Sequence, residues 1–161
     1  MADLRAAFTE LGLMDVRTLL ASGNLVFEAS GEKAAALEAR VEKALADKLD
    51  LTTEVFVRTT GQWRAMIADN PFERAAREDP ARLIAMILRE APDPGAPERL
   101  NAAIVGREEA KVVGRVAFIV YPDGAGQSAF TGARLDRALG VRGTGRNWNT
   151  VIKLAEMAGA A

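Results

Sequence analysis

The order in which helical and strand-like patterns follow one another constrains the fold of this chain more than any single motif. Leu4, Phe8 and Leu11 recur at helical spacing, and two β-prone runs then flank the turn tripeptide Ser22-Gly23-Asn24. An amphipathic stretch with a period near 3.6 and an alternating segment follow, so the first half has the order α-β-β-α-β. Its predicted elements are a helix over 2–12, strands over Val16–Ala21 and Leu25–Glu28, a helix over Glu32–Leu49 and a strand over Glu54–Arg58.

The second half repeats this rhythm with the order β-α-β-β-α-α. Gly114 separates two β-prone runs in the manner of a hairpin, and Pro97 suits the first turn of a helix. A helix over Gln62–Ala68, which Thr60 could cap, precedes this half. The elements predicted for it are a strand over Arg82–Arg89, a helix from Pro97 to about Val105, strands over Lys111–Val113 and Arg115–Tyr121, a helix near Thr131–Leu139 and a final helix over Arg146–Ala158.

Each half is one strand short of the β-α-β-β-α-β unit of the ferredoxin-like plait, in which helices cover one face of an antiparallel sheet. We therefore expect an α+β protein of two ferredoxin-like (α/β plait) subdomains with antiparallel sheets. The first subdomain, residues 1–70, lacks its first strand. The second, residues 71–161, ends in two helices.

The chain contains no Cys and no His, which excludes disulfides, zinc fingers, Cys nucleophiles and Ser-His-Asp triads. Acid-base chemistry would fall to a carboxylate, a Lys or Tyr121, the only tyrosine. Carboxylates alone can run some hydrolyses, so a carboxylate-dependent hydrolase stays open as an alternative. We favour a non-enzymatic protein, and we predict no metal site and no cofactor.

Composition and apolar runs indicate a soluble globular protein. The chain is 49% hydrophobic and 27% charged with a net charge of -1. No apolar run approaches the roughly 20 residues that span a bilayer. The start, Met1-Ala2-Asp3-Leu4-Arg5, does not have the pattern of a secretory signal. We expect a cytoplasmic location and no membrane partner.

A glycine loop follows a predicted strand and precedes a predicted helix, and its candidate ligand-binding residues are Gly124, Gly126 and Ser128. In that context glycine amides can hold a phosphate. The loop matches neither a Walker motif nor a dinucleotide fingerprint. The structural alternative is a strand-to-helix turn in which Ser128 or Thr131 caps the helix.

The last predicted helix supplies the other candidate ligand-binding residues. Helical spacing places Trp148 and Val151 on an apolar face, whereas Asn147 lies at the edge of that face and needs a hydrogen-bond partner. In the structural alternative Asn147 ties the helix to a neighbouring loop. Residues 111–161 also carry more basic than acidic side chains, which fits an anion-binding end but fits better the ordinary scatter of charge on arginine-rich helices. The candidates from this helix are Arg146, Asn147, Asn149 and Lys153.

Several motifs occur in an order that resembles the bacterial family named domain of unknown function 1697. The resemblance covers essentially the whole chain, and it implies two α/β plait subdomains and no established activity. The motifs are Ser22-Gly23-Asn24-Leu25-Val26-Phe27, Asn70-Pro71-Phe72, Tyr121-Pro122-Asp123-Gly124-Ala125-Gly126-Gln127-Ser128 and, as the most specific one, Arg146-Asn147-Trp148-Asn149-Thr150-Val151.

The chain departs from the family pattern in two places. Members usually have an apolar strand and a glycine-rich segment before the equivalent of Met1. This sequence has no counterpart of that strand and segment. A mis-assigned start codon or a truncated record is the leading explanation for their absence, and self-association or a shifted strand is the second. The family's glycine loop usually has basic residues where this chain has Gln127 and Ala129, which weakens the prediction of an anion site.

We therefore predict an uncharacterised protein that binds a small anionic or nucleotide-like ligand at the glycine loop and the last helix. The carboxylate-dependent hydrolase is one alternative, and it requires an acidic residue with a raised pKa in a cleft. A weak nucleic-acid-binding module ranks last, because it needs exposed aromatic side chains on strands. The candidates for that role, Phe27, Phe56, Phe118 and Tyr121, are few and mostly fit buried positions.

Overall fold

The computed structural model describes residues 2–19 and 23–160. They divide into two compact units, one formed by the described residues up to 63 with those from 154 onward, and one by residues 64–153. The boundary predicted from the sequence differs, since it divides the chain once, after residue 70. The elements of the described chain are α1 (Ala2–Glu10), β1 (Met14–Leu19), β2 (Asn24–Glu28), α2 (Ala34–Leu49), α3 (Thr60–Ala68), α4 (Glu73–Glu78), β3 (Leu83–Leu88), α5 (Ala96–Ala102), β4 (Glu109–Val113), β5 (Val116–Val120), α6 (Ala133–Leu139), β6 (Gly143–Asn147) and α7 (Trp148–Met157).

The second unit contains a complete plait. Its four strands lie in the order β4-β5-β3-β6, and every neighbouring pair is antiparallel. Together with α5 and α6 they form the β-α-β-β-α-β unit, in which the first strand lies in the middle of the sheet beside the last strand. The predicted α+β fold with antiparallel sheets is confirmed.

The start of the predicted final helix is wrong. Residues Gly143–Asn147 form strand β6, and α7 begins only at Trp148. Arg146 and Asn147 are therefore strand residues, and the closing strand that the second half seemed to lack is present. Glycine has a low strand propensity, so the sequence Gly143-Thr144-Gly145 does not indicate a strand by itself.

Tertiary packing explains both glycines of β6. A Cβ atom at Gly143 would lie 2.8 Å from Leu88 Cδ2 and 3.0 Å from the carbonyl oxygen of Ile87. At Gly145 it would lie 3.3 Å from Ile84 Cγ2. Strand β6 can approach β3 this closely only because neither position carries a side chain.

Both faces of the four-stranded sheet are apolar. On one face, the side chains of Met86, Leu88 and Ile119 pack in a core cluster with Leu100 of α5 and Leu139 of α6. On the other face, the alternate residues Leu83, Ala85, Ile87 and Phe118 are buried as well. The ring of Phe118 lies 6.3 Å from the ring of Trp148, which is buried together with Val151, as the apolar face predicted for the last helix requires.

The first unit packs two helices against a hairpin. Strands β1 and β2 pair antiparallel with Leu19 opposite Asn24, and Gly23 has a positive φ of +78°. The hairpin predicted around Ser22-Gly23-Asn24 is thus confirmed, although Leu20, Ala21 and Ser22 lie outside the described residues. Its core consists of Phe8, Leu13, Leu37, Val41 and Leu45, with half-buried apolar side chains from the hairpin and from Val55 and Val57 around them.

The prediction of a strand over Glu54–Arg58 is wrong. Side chains of α2 accept hydrogen bonds from backbone amides of this segment, which would otherwise bond to a neighbouring strand. The amide of Val55 donates to Glu42 Oε1 at 2.8 Å, and that of Val57 donates to Glu38 Oε1 at 2.7 Å. Arg58 Nη1 lies 3.7 Å from the same Glu38 oxygen, and only 8% and 5% of these two side chains are exposed. Two carboxylates of one helix therefore hold this segment.

A smaller difference concerns the start of α3. Thr59, rather than Thr60, caps α3: its hydroxyl accepts from the amide of Gln62 at 3.1 Å, and Gln62 Oε1 accepts from the amide of Thr59 at 2.9 Å. This reciprocal pair is a capping box.

Helix α4 was not predicted, and it buries none of its residues, so it lacks the apolar spacing by which helices are found in a sequence.

We expect Glu38→Ala to lower the free energy of unfolding by about 3–5 kcal/mol, because it leaves Arg58 as a buried charge without this carboxylate. Glu38→Gln should cost less, since its amide oxygen can still accept from Val57. Urea denaturation measures both. The control is Asp47→Ala, which breaks the exposed pair with Lys43 and should cost about 1 kcal/mol or less. Equal losses from Glu38→Ala and Asp47→Ala would contradict the structural importance of the buried pair.

We expect Gly143→Ala to destabilise the protein by about 1–3 kcal/mol, because the new methyl group meets the backbone of β3 as well as Leu88. The matched control is Gly126→Ala, since a Cβ atom there meets nothing within 4 Å. Thermal and urea unfolding of the two variants give the comparison. A Gly143→Ala protein as stable as the Gly126→Ala protein would show that the close approach of β6 is not required.

Candidate functional site

One end of the four-stranded sheet gathers most of the predicted site residues. Here β3 begins while β5 and β6 end, so the segments before β3 and after the other two strands meet. The amide of Tyr121 donates to the carbonyl of Arg82 at 2.8 Å. Asn147 Nδ2 donates to the carbonyl of Ala81 at 2.9 Å. The segment Ala81–Arg82 therefore lies between the glycine loop and the start of α7.

The glycine loop is a compact turn that uses part of its own backbone. Gly124 has a φ of +87°, which favours glycine at this position. The amides of Gly124, Gln127 and Ser128 donate to carbonyls of Tyr121, Gly124 and Ala125, respectively, at 2.9–3.2 Å. Among the described residues, no hydrogen bond uses the amides of Ala125 or Gly126. The loop thus offers an anion two amides rather than a full ring of donors.

Arg82 provides the positive charge that the loop itself lacks, and the sequence analysis did not identify it. Its Nη1 donates to the carbonyl of Pro122 at 3.0 Å and lies 3.1 Å from the position of a Cβ atom at Gly124. Its Nε lies 3.6 Å from the carboxylate of Asp79. Arg82 belongs to no motif of the sequence, so only the pairing of β3 with β5 reveals that it contacts the loop.

Ser128 anchors the loop rather than capping a helix. Its hydroxyl accepts from the amide of Phe130 at 2.9 Å and donates to Glu108 Oε1, and this bond lowers the pKa of the Glu108 carboxyl. Helix α6 begins only after Gly132, and neither Ser128 nor Thr131 caps it, so the capping part of the structural alternative was wrong. The glycine with a positive φ that this alternative required is present at Gly124. In the described structure, the other oxygen of Glu108 is buried without a hydrogen-bond partner.

A second arginine at this end is paired. Arg107 Nε donates to Asp123 Oδ2 at 3.1 Å, and its Nη2 donates to Asp123 Oδ1. The guanidinium holds the pKa of the Asp123 carboxyl below its ordinary value. Both side chains are largely exposed, and exposed ion pairs are weak and salt-dependent. A stronger anion could therefore replace Asp123 on Arg107.

Asn147 joins the last strand to the last helix. Its Oδ1 accepts from the amide of Asn149 at 3.0 Å and so satisfies one free donor at the start of α7, while its Nδ2 bonds Ala81. This is the tie to a neighbouring segment that the sequence analysis gave as the structural alternative. Asn149 and Lys153 are both exposed. Lys153 lies one turn further along α7 than Asn149.

Arg146 is turned away from this end of the sheet. It lies on β6 opposite Ala85, and its Nη1 donates to Thr144 Oγ1 at 2.6 Å and to the carbonyl of Gly145 at 2.8 Å. The side chain therefore runs back along its own strand, and burial lowers its pKa. The structure places Gly124, Gly126 and Ser128 on one side of Ala81–Arg82 and Asn147 and Asn149 on the other, at the same end of the sheet. It does not place Arg146 beside the loop.

Further features of the described residues concern the two alternative functions, a carboxylate-dependent hydrolase and a nucleic-acid-binding module, and the expected lack of metal and membrane sites. The carboxyl groups with a shifted pKa, Glu78, Asp93, Glu108 and Asp123, are all shifted downward. Phe118 and Tyr121 are buried, while Phe27 and Phe56 are half-buried. The described residues contain no group of three or more acidic side chains that could hold a metal ion. None of their helices has the length and apolar character needed to cross a membrane.

Comparison with known proteins identifies the family. Residues 1–118 match a family described as a protein of unknown function, DUF1697. The chain belongs to this family. Its members are defined without an activity, and the matched residues end before the Arg146–Val151 motif. No curated protein matches the chain.

A solved structure confirms the fold. The chain is similar to the conserved bacterial protein SP0830 from Streptococcus pneumoniae, with 21% sequence identity and a TM-score of 0.73. The match covers 99% of this chain and 88% of that chain. At this level of identity the likeness supports the shared fold and does not extend to function.

We expect the single tyrosine to report on the packing beneath the glycine loop. The Tyr121 hydroxyl donates to the carbonyl of Phe130 at 2.7 Å, and burial together with the charge of Glu108 raises its pKa to about 12. The unfolded chain should ionise near pH 10. This group's contribution to stability is therefore complete below about pH 10 and is lost as the pH rises towards about 12.

Tyrosinate absorbance measures this titration directly, since Tyr121 is the only tyrosine. The native protein should titrate near pH 12, and the urea-unfolded protein near pH 10. Tyr121→Phe removes the signal and serves as the control. Equal midpoints for the native and unfolded proteins would contradict the burial of this hydroxyl.

Proposed function

We propose that the protein is a non-enzymatic module that binds a small anionic or nucleotide-like ligand at the end of the four-stranded sheet. The observation that carries the proposal is the position of Arg82. Its Nη1 lies 3.1 Å from the position that a Cβ atom would occupy at Gly124, so the guanidinium is close to the backbone of the loop. A planar guanidinium presents several N–H donors to an oxyanion. Arg82 thus supports the glycine loop as an anion site although the loop has no basic residue.

Backbone donors support the same position. The amides of Ala125 and Gly126 are available in the loop, and α7 begins at Asn147–Trp148, on the other side of Ala81–Arg82. A helix N-terminus favours negative charge by about 0.3–1 kcal/mol at an exposed site. Together these groups would let an anion bridge the loop and the last helix, as the sequence analysis proposed. Arg146 is not part of this arrangement.

The ion pairs of the two arginines indicate what kind of ligand would bind. Arg82 lies near Asp79, and Arg107 binds Asp123, so a ligand must compete with two protein carboxylates. A monovalent anion gains little from such an exchange, whereas a phosphate group brings more charge and more acceptor oxygens. We therefore propose a ligand with a phosphate group rather than a simple carboxylic acid.

We also infer that binding takes place in the cytoplasm of a bacterial cell. The similar solved structure is described as a bacterial protein. The sequence contains no cysteine, so it has no need of an oxidising compartment. Fractionation of cells that produce the protein from its native gene would test this location, and recovery in the periplasm or the medium would contradict it.

The experiment is a thermal-shift screen with inorganic phosphate and with nucleoside mono-, di- and triphosphates, followed by calorimetry of each compound that raises the melting temperature. We expect Arg82→Gln to weaken the binding of such a compound at least about tenfold, which corresponds to about 1.4 kcal/mol. The control, Arg134→Gln, removes the same charge from an exposed position on α6. It should leave the affinity within about twofold, apart from a uniform effect of net charge.

Two results would contradict the proposed site. One is the absence of a shift with every compound. The other is an equal loss of affinity in Arg82→Gln and Arg134→Gln, which would show that binding depends on net charge alone. Asp123→Asn gives an opposite readout: it releases Arg107 and should raise the affinity if the protein carboxylate competes with the ligand.

A further inference from the structure

We propose that strand β4 is an interface through which two copies of this chain form a two-fold symmetric dimer. In this dimer β4 pairs antiparallel with β4 of the second copy, and Ala110 of one copy lies opposite Ala110 of the other. The four-stranded sheets of the two copies then join into one continuous sheet. The interface contains neither Arg82 nor the glycine loop, so this proposal can fail while the proposed function stands, and the reverse.

Strand β4 lies at the edge of its sheet and has one unpaired side. It pairs with β5 and with no other strand of the described residues. Outside this pairing, no hydrogen bond within the described part of the chain involves the backbone of Glu109–Val113. An edge strand of this kind presents a row of N–H and C=O groups to which another strand can bind.

The turn after β4 determines which backbone groups point outward. Gly114-Arg115 is a two-residue loop between β4 and β5, and Gly114 has a φ of +57°. Such a turn closes with a hydrogen bond between its flanking residues, so the backbone groups of Val113 point towards β5. Because these groups alternate along an antiparallel strand, the N–H and C=O of Ala110 and Val112 point away from the sheet.

The charges on β4 indicate that the second strand belongs to another copy of the chain. Glu109 and Lys111 are both exposed, and they lie on the same face because side chains alternate along a strand. Among the described residues, neither side chain forms an ion pair or a hydrogen bond. Antiparallel pairing about Ala110 places Glu109 of each copy directly opposite Lys111 of the other. The dimer therefore contains a favourable pair of opposite charges twice.

The same charges select one register of the pairing. A register centred on Lys111 uses the same outward backbone groups, but it places two lysines directly opposite each other, which is unfavourable. A register centred on Val112 runs past the turn at Gly114. Charged side chains on an edge strand ordinarily oppose pairing. Here the opposite signs two positions apart instead favour the register centred on Ala110.

Exposed apolar side chains lie near both ends of β4. Val113, which is 36% exposed, ends the strand, and Val105, which is 59% exposed, belongs to the segment that leads into it. They are two of the four large apolar side chains that are exposed in the described part of the chain. Antiparallel pairing brings the Val113 end of one copy to the Val105 end of the other. The dimer would thus cover apolar surface as well as backbone groups.

The test is sedimentation equilibrium of the full chain over a series of protein concentrations at fixed ionic strength. We expect a monomer–dimer equilibrium in which the dimer has twice the 17.2 kDa mass of one chain. Glu109→Lys and Lys111→Glu should each raise the dissociation constant at least about tenfold, because each reversal places two pairs of like charges in the symmetric dimer. The matched control, Glu156→Lys, makes the same change in net charge as Glu109→Lys at an exposed position of α7. It should leave the dissociation constant within about twofold.

A double variant, Glu109→Lys with Lys111→Glu, tests the register. It exchanges the two charges, so opposite charges again face each other across the interface. The ammonium of Lys111 lies 5.2 Å from the centroid of the Phe72 ring, and this contact is lost in the double variant and in Lys111→Glu alike. The comparison of these two variants therefore isolates the pair across the interface. The double variant should dimerise at least about tenfold more tightly than Lys111→Glu.

Circular dichroism and the melting temperature establish that each variant is folded, and the exposed positions of Glu109 and Lys111 leave the core unchanged. The proposal is overturned if the unmodified chain is a monomer at every concentration. A dimer that the single reversals weaken no more than Glu156→Lys does would also overturn it, because its interface would lie elsewhere. A double variant that dimerises no better than Lys111→Glu would overturn the pairing about Ala110.

Discussion

The antiparallel pairing of β3 with both β5 and β6 is the interaction on which the second unit depends. Strand β3 is buried on both faces, and its two neighbours bring the glycine loop and the start of α7 to the same end of the sheet. This pairing requires β6 to approach closely, which the missing side chains of Gly143 and Gly145 permit. Without it, Arg82 would not lie between the loop and the last helix.

Side chains that bond backbone groups complete the fold where regular elements end. Glu38 and Glu42 hold the segment around Val55 and Val57 in the first unit. In the second unit, Asn147 bonds Ala81 and caps α7. Because a buried amide or carbonyl without a partner is costly, each of these polar side chains replaces a hydrogen bond that a longer strand or helix would have provided. The contacts of Asn147 also position groups of the candidate site.

Some of the site could be predicted from the sequence, because local patterns specify it. Gly124 lies in a turn with positive φ, and Trp148 and Val151 are on the buried face of the last helix, as spacing alone indicates. Arg146 was placed on that helix because a strand interrupted by two glycines has no recognisable pattern. Arg82 was missed for a different reason, since its role comes from residues forty positions away in the chain.

The amino-acid sequence alone predicts the types and order of most elements and the hairpins at Gly23 and Gly114, and it excludes chemistry that depends on cysteine or histidine. These properties follow from residue identity and from periodicity over a few turns. Three features emerge only from packing in three dimensions. Gly143–Asn147 is a strand, Glu38 and Glu42 take the place of a strand partner, and Arg82 contacts the glycine loop whereas Arg146 does not. The physical reason is that each of these depends on the space and the hydrogen-bond donors of a neighbour distant in sequence.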